Sequence, residues 1–213
     1  MASQTLVIDC ATEACSVALF DSGMPIAGEL RMLGRGHAEA LVPMIAALPD
    51  KGRADRIAVA IGPGSFTGVR VGLAAARALA FAWGAELVGY PTLALVAAQA
   101  QAEHPGVPVA AVMTGGHGEW FVQQFDAGGA PLSPLASLTP AQAAEQIACR
   151  VIAGTQAEAL VALRGNGEAM TLWPDARAFG LLDANALTSH VTPLYGRAPD
   201  ARLPGGLLPA TAT

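Results

Sequence analysis

The sequence predicts two α/β lobes, a larger one over residues 1–104 and a smaller one over 105–203, with a flexible tail at 204–213. Three observations carry that prediction. The short apolar run Ile57-Ala58-Val59-Ala60-Ile61 leads through Gly62-Pro63-Gly64 into a long alanine-rich helical stretch, the pattern of a buried strand joined to a packed helix. Residues 5–20 read as two strands around a small polar turn. Proline and glycine then cluster at His104-Pro105-Gly106-Val107-Pro108, where a lobe boundary is expected.

The elements follow in order. Strands are predicted at 5–9 and 15–20, joined by Cys10-Ala11-Thr12-Glu13-Ala14, and a third at 25–32 after the turn Asp21-Ser22-Gly23. Residues 37–48 read as a helix because Leu41, Met44, Ile45 and Leu48 fall on one stripe; Pro43 inside it removes an internal hydrogen bond, so a kink or late start is expected. After the 57–61 strand comes a helix capped by Ser65 or Thr67, with Val69, Leu73 and Ala76 among its apolar positions. A fifth strand at 86–89 and a helix at 91–103, opened by Pro91, complete the first lobe. The second lobe reads as a hairpin-like pair at 109–113 and 119–125, a hydroxyl-capped helix ending at 147 and a strand at 150–153. Residues 157–187 are alanine-rich and read as helix broken at Gly165-Asn166-Gly167 and Trp173-Pro174.

Gly62, Pro63, Gly64, Gly68 and Gly72 fall in one eleven-residue stretch, Gly62-Pro63-Gly64-Ser65-Phe66-Thr67-Gly68-Val69-Arg70-Val71-Gly72. Two readings stand side by side: glycines that let two backbones approach closely, or a helix start whose free amides face an anion. No Gly-Lys-Ser/Thr follows, so this is not a Walker A loop.

Composition narrows the function classes. Hydrophobic residues make up 53% of the chain, yet no uninterrupted apolar run reaches the roughly 20 residues a membrane span requires. No membrane association or signal peptide is expected. Three cysteines without a CxxC fit a reducing compartment, and the cytoplasm is the expected location. The net charge is −5 and the basic residues are scattered, which disfavours direct nucleic-acid binding, since phosphate neutralisation supplies most of such affinity. His37, His104, His117 and His190 lack ligand spacing, so no metal centre is expected.

The segment Ile8-Asp9-Cys10-Ala11-Thr12-Glu13-Ala14-Cys15-Ser16-Val17-Ala18-Leu19 resembles the opening phosphate loop of the actin, Hsp70 and sugar-kinase superfamily. That resemblance implies a two-lobed fold with a reduced second lobe, and makes Asp9, Thr12 and Ser16 candidates to face a nucleotide, an acid and hydroxyls suiting hydrated magnesium and phosphate. An Asp9 that bonds its own turn is the plain alternative. With His37-Ala38-Glu39-Ala40-Leu41-Val42-Pro43-Met44-Ile45, the glycine-rich stretch and Pro91-Thr92-Leu93-Ala94, the chain is similar to the TsaB (YeaZ) family of the tRNA threonylcarbamoyladenosine machinery.

The family resemblance implies a non-catalytic subunit that scaffolds and activates a TsaD-like transferase by heterodimerisation, with a TsaE-like ATPase completing the complex. It implies that tRNA is met only through the complex, that the chain has no cofactor of its own, and that ATP or ADP could sit at the partner interface. In isolation the chain could self-pair. The partner surface is expected on the first-lobe helices, at His37, Leu41, Met44, Ile45, Val69, Leu73 and Arg77; a carbonyl-bonded His37 and a stripe buried as core are the alternatives. A TsaD-like enzyme carries a His-x-x-x-His metal pair after the fifth strand, where this chain has Thr92 and Val96, so no metal is implied. Thr114-Gly115-Gly116-His117 replaces the family's Asp-Ala-Arg type of segment, removing an acid and an arginine from that strand end. The competing function is a free-standing ATP-dependent phosphotransferase using Asp9, Thr12 and Ser16.

Overall fold

The computed structural model describes residues 4–196; Arg197 and the tail expected at 204–213 lie outside them. Strands β1 (Gln4–Asp9), β2 (Ala14–Asp21) and β3 (Met24–Met32) form an antiparallel meander, followed by helix α1 (His37–Ala46), strand β4 (Arg56–Ala60), helix α2 (Phe66–Trp83), strand β5 (Glu86–Tyr90) and helix α3 (Thr92–Glu103). The second half contains β6 (Val109–Thr114), β7 (Trp120–Phe125), β8 (Ala136–Leu138), α4 (Pro140–Gln146), β9 (Val151–Ala153), α5 (Ala157–Arg164) and β10 (Glu168–Met170), then 3₁₀ turns at Ala176–Leu181 and Ala184–Ala186.

The two sheets repeat one plan. Their strand orders are β3-β2-β1-β4-β5 and β10-β9-β6-β7-β8. In each, three antiparallel strands are followed by two that join in parallel, β4 beside β1 and β9 beside β6. The second copy is shorter in β8, β9 and β10, each three residues long, which leaves its outer strands with little surface to bury.

Neither core is confined to its own half of the sequence. In α3, Leu95 belongs to the first core while Leu93, Val96 and Ala97 belong to the second, so this helix is buried on both sides, as its near-continuous apolar sequence requires. After β10 the chain returns to the first sheet: Ala176 and Val191 join its core, Phe179 packs on Phe20 and Tyr90, and Thr188 bridges Gly89 on the β5 edge. Covering that edge removes an open row of backbone donors and acceptors.

Two expectations change. Pro43 lies within α1, which runs from His37 without a late start. The stretch 157–187 breaks at Gly165 as expected, where φ 70° closes α5 and Gly167 holds φ 115°, but a strand, β10, paired with β9, follows in place of helix. Alanine content favours helix locally, but pairing with a neighbouring strand overrides it.

The glycine-rich turn brings two backbones together. A β-carbon at Gly64 would overlap the Ala11 carbonyl, and one at Gly68 would overlap the Cys10 carbonyl. Substituting Gly68→Ala is therefore expected to destabilise the protein by about 2 kcal/mol or more, since backbone on both sides must move. Gly116→Ala, which meets nothing within 4 Å, should leave the urea midpoint nearly unchanged and serves as the comparison.

Candidate functional site: the cleft between the lobes

A cavity of about 760 Å³ lies between the two sheets. Its first-lobe wall is the β1–β2 turn, Ala11 to Glu13, with Pro63, Gly64 and the N-terminal turn of α2; its second-lobe wall includes Thr114, Phe121 and Thr155. The β1–β2 turn is fixed by its backbone: Ser65 N–H donates to the Ala11 carbonyl at 2.7 Å, and the Leu33 and Gly34 amides both donate to the Glu13 carbonyl at 2.9 Å. Ser65 caps α2 by accepting from the Gly68 amide at 3.2 Å.

Of the three residues expected to face a nucleotide, one reaches the cavity. Thr12 lines the cavity, its hydroxyl accepting from the Ala14 amide at 3.1 Å. Asp9 is not among the lining residues. Only 1% exposed, it accepts from the Ala11 amide at 2.9 Å and from the Tyr90 hydroxyl at 3.2 Å. Burial pushes its pKa up to about 7, assisted by the Asp175 charge and opposed by those two hydrogen bonds. Ser16 is also buried, accepting from the Ala176 amide at 2.9 Å while its hydroxyl faces the Glu29 carbonyl and Asp175. It holds the returning chain rather than a ligand.

The expected partner residues need a similar correction. Leu41, Met44, Ile45, Val69 and Leu73 are all buried in the chain's own first core. Burying such side chains stabilises the lobe by about 2 kcal/mol each, so the core holds them in place of a partner. His37 is 7% exposed and its Nε2 lies 3.3 Å from the Ala14 carbonyl, which makes it a helix-start donor. Arg77, by contrast, stays exposed on α2, although its guanidinium donates to the Val191 carbonyl at 2.6 Å. A β-carbon added at Gly72 would meet Cys10, Ile8 and Val59 only at ordinary contact distance.

Besides Thr12, the cavity is reached by polar groups whose pairings no sequence motif marks. The Arg70 guanidinium lies 3.3 Å from the Phe66 ring centroid and donates to the Tyr195 hydroxyl at 2.6 Å. Glu13 accepts from Trp173 Nε1 at 2.7 Å. Thr114 and Thr155 share a hydroxyl contact at 3.1 Å, joined by Gln156. These partners are up to 160 residues apart, so no local spacing announces them. The site therefore offers hydroxyls, backbone and one already engaged residue of each charge, and its most perturbed carboxyl is sealed behind the wall. Among the described residues no group of three or more potential metal ligands comes together. Thr92 is buried with no hydrogen-bond partner for its hydroxyl among the described residues.

A strand order used twice, with a cleft between the copies, defines the actin, Hsp70 and sugar-kinase class of fold. The chain belongs to the TsaD family, in its TsaB (YeaZ) branch: the family model described as tRNA N6-adenosine threonylcarbamoyltransferase matches residues 31–172, more than half the chain. The tRNA threonylcarbamoyladenosine biosynthesis protein TsaB of Escherichia coli K12 is 35% identical over 131 residues, covering 58% of this chain and 56% of that protein. TsaB of Haemophilus influenzae is 44% identical over 98 residues, covering 43% of this chain and 40% of that one. The matches thus span about half the length of these curated relatives. A Pseudomonas aeruginosa structure described as similar to the peptidase YeaZ superposes with a TM-score of 0.77 at 28% identity, covering 92% of this chain and all of that one.

The raised pKa of Asp9 has a testable sign. Between its ordinary value of 3.8 and about 7, the folded chain keeps a proton that the unfolded chain releases. Its contribution to stability is thus complete below about pH 4 and is lost as pH rises through 7, a total of about 4 kcal/mol. Asp9→Asn, which keeps an acceptor for Ala11, should be more stable than the parent at pH 8, with the difference shrinking toward pH 4. Urea midpoints at the two pH values measure it.

Proposed function

We propose that this chain is a non-catalytic subunit required for forming N6-threonylcarbamoyladenosine in tRNA, and that it scaffolds and activates a TsaD-like transferase by heterodimerisation. One observation carries the reading. Helix α2 leaves Ala74, Ala78, Phe81 and Ala82 exposed, Phe81 at 91%, while Val42 on the adjoining α1 is 61% exposed. This largely apolar face, bordered by the exposed Arg77, buries favourably against another helix pair, as in a helical bundle. This surface replaces the buried stripe first expected to make the contact.

A TsaE-like ATPase completes the complex in this reading, tRNA is held by the assembly, and ATP or ADP sits at the partner interface. In isolation the same helix face supports self-pairing. The burial of Asp9 and Ser16 behind the cavity wall favours this reading over a free-standing phosphotransferase, which needs an acid in contact with metal and phosphate. The compartment consistent with this role is the cytoplasm; among the described residues no helix is long and apolar enough to cross a membrane.

Deleting the gene should remove the modified adenosine from cellular tRNA, measured by mass spectrometry of digested nucleosides. Purified chain alone should neither modify tRNA nor turn over ATP, and should raise modification when added to the transferase and ATPase. Tests of the surface separate contact from core. Val42→Glu or Phe81→Glu should weaken binding to the transferase at least tenfold, about 1.4 kcal/mol, with an unchanged melting curve. Leu41→Glu places a charge in the core and should unfold the lobe instead.

A further inference from the structure

We propose that Cys10 and Cys15 are a reversible redox pair that sets the state of the cavity wall. The turn separates them in sequence, yet their Sγ atoms lie 3.6 Å apart and both are free thiols. They stand one position beyond the Asp9–Ser16 partners of the antiparallel β1–β2 pair. Opposed residues on such strands have α-carbons about 4.5–5.5 Å apart, within the range that a disulfide spans. The hydrogen bond between the thiols makes them unequal: it holds the pKa of Cys15 down and pushes that of Cys10 up, so Cys15 is the better nucleophile.

Both side chains are buried, which excludes bulky thiol reagents and leaves hydrogen peroxide, small and neutral, as the oxidant. The Cys15 thiolate attacks one peroxide oxygen and the O–O bond breaks, releasing hydroxide, which takes up the thiol proton as water. Cys10 sulfur then displaces the hydroxyl of the Cys15 sulfenic acid, loses its own proton and forms the S–S bond, releasing a second water. Two electrons pass from the sulfurs to one peroxide, and a dithiol reductant returns them.

The consequence reaches the cleft through the residues between the two sulfurs. Ala11, Thr12 and Glu13 line the cavity, Ala11 is bonded to Ser65, and Glu13 holds the Trp173 indole. Closing the sulfurs from 3.6 Å to about 2.05 Å draws on both ends of that turn.

The test treats the full folded chain with hydrogen peroxide, removes the excess, then denatures, alkylates and digests it with trypsin. The fragment ending at Arg31 carries both cysteines and no third. It is expected to lose both alkylation sites and become lighter by two hydrogens within the monomer, with dithiothreitol restoring it. Cys10→Ser should instead trap added oxygen on Cys15. Tryptophan emission should change as the bond forms, and Cys15→Ser should abolish the change. A fragment that is still fully alkylated once the peroxide-treated chain is denatured, a link between chains in its place, or an intramolecular bond that leaves the emission unmoved would overturn the proposal.

Discussion

The contact between the β1–β2 turn and the start of α2 is the constraint from which the rest of the architecture follows. Two carbonyls, those of Cys10 and Ala11, press against positions where only glycine leaves room, and the Ser65 amide closes the contact with a hydrogen bond. This seats the end of the first hairpin against the end of β4, so one side of the cleft is formed from backbone. A wall made of backbone is stiff, because its groups are already paired and have no rotamers to lose.

That economy explains what the site lacks. An acid at the end of a first strand is placed to reach into a cleft, but here it turns inward, bonded to Ala11 and Tyr90 in a setting that favours its neutral form. Ser16 is likewise consumed by the returning chain. The fold keeps the cleft as a shape while assigning Asp9 and Ser16 to their own turn, to β5 and to the returning chain, and α1 and α2 carry exposed apolar residues outside the cleft.

Much of the first lobe was legible because its signals are local. Alternating and continuous apolar runs marked β1, β2 and β4, and the glycine-rich stretch marked the entry to α2. The helix stripe of Leu41, Met44, Ile45 and Leu48 was equally clear, but periodicity says only that one face is apolar, and the core took it. The second lobe was harder to read because β8, β9 and β10 are three residues each, too short to carry a pattern. The cavity's polar pairs, Arg70 with Tyr195 and Glu13 with Trp173, were invisible because they join distant parts of the chain.

The returning segment also orders events in time. Ser16 and Glu13 leave the ribosome some 160 residues before the backbone and indole groups that complete them. During synthesis the first sheet must therefore wait with Phe20 and Tyr90 unprotected by Phe179. Late, non-local closure of this kind slows folding, because the entropy of closing a long loop is lost before its contacts form.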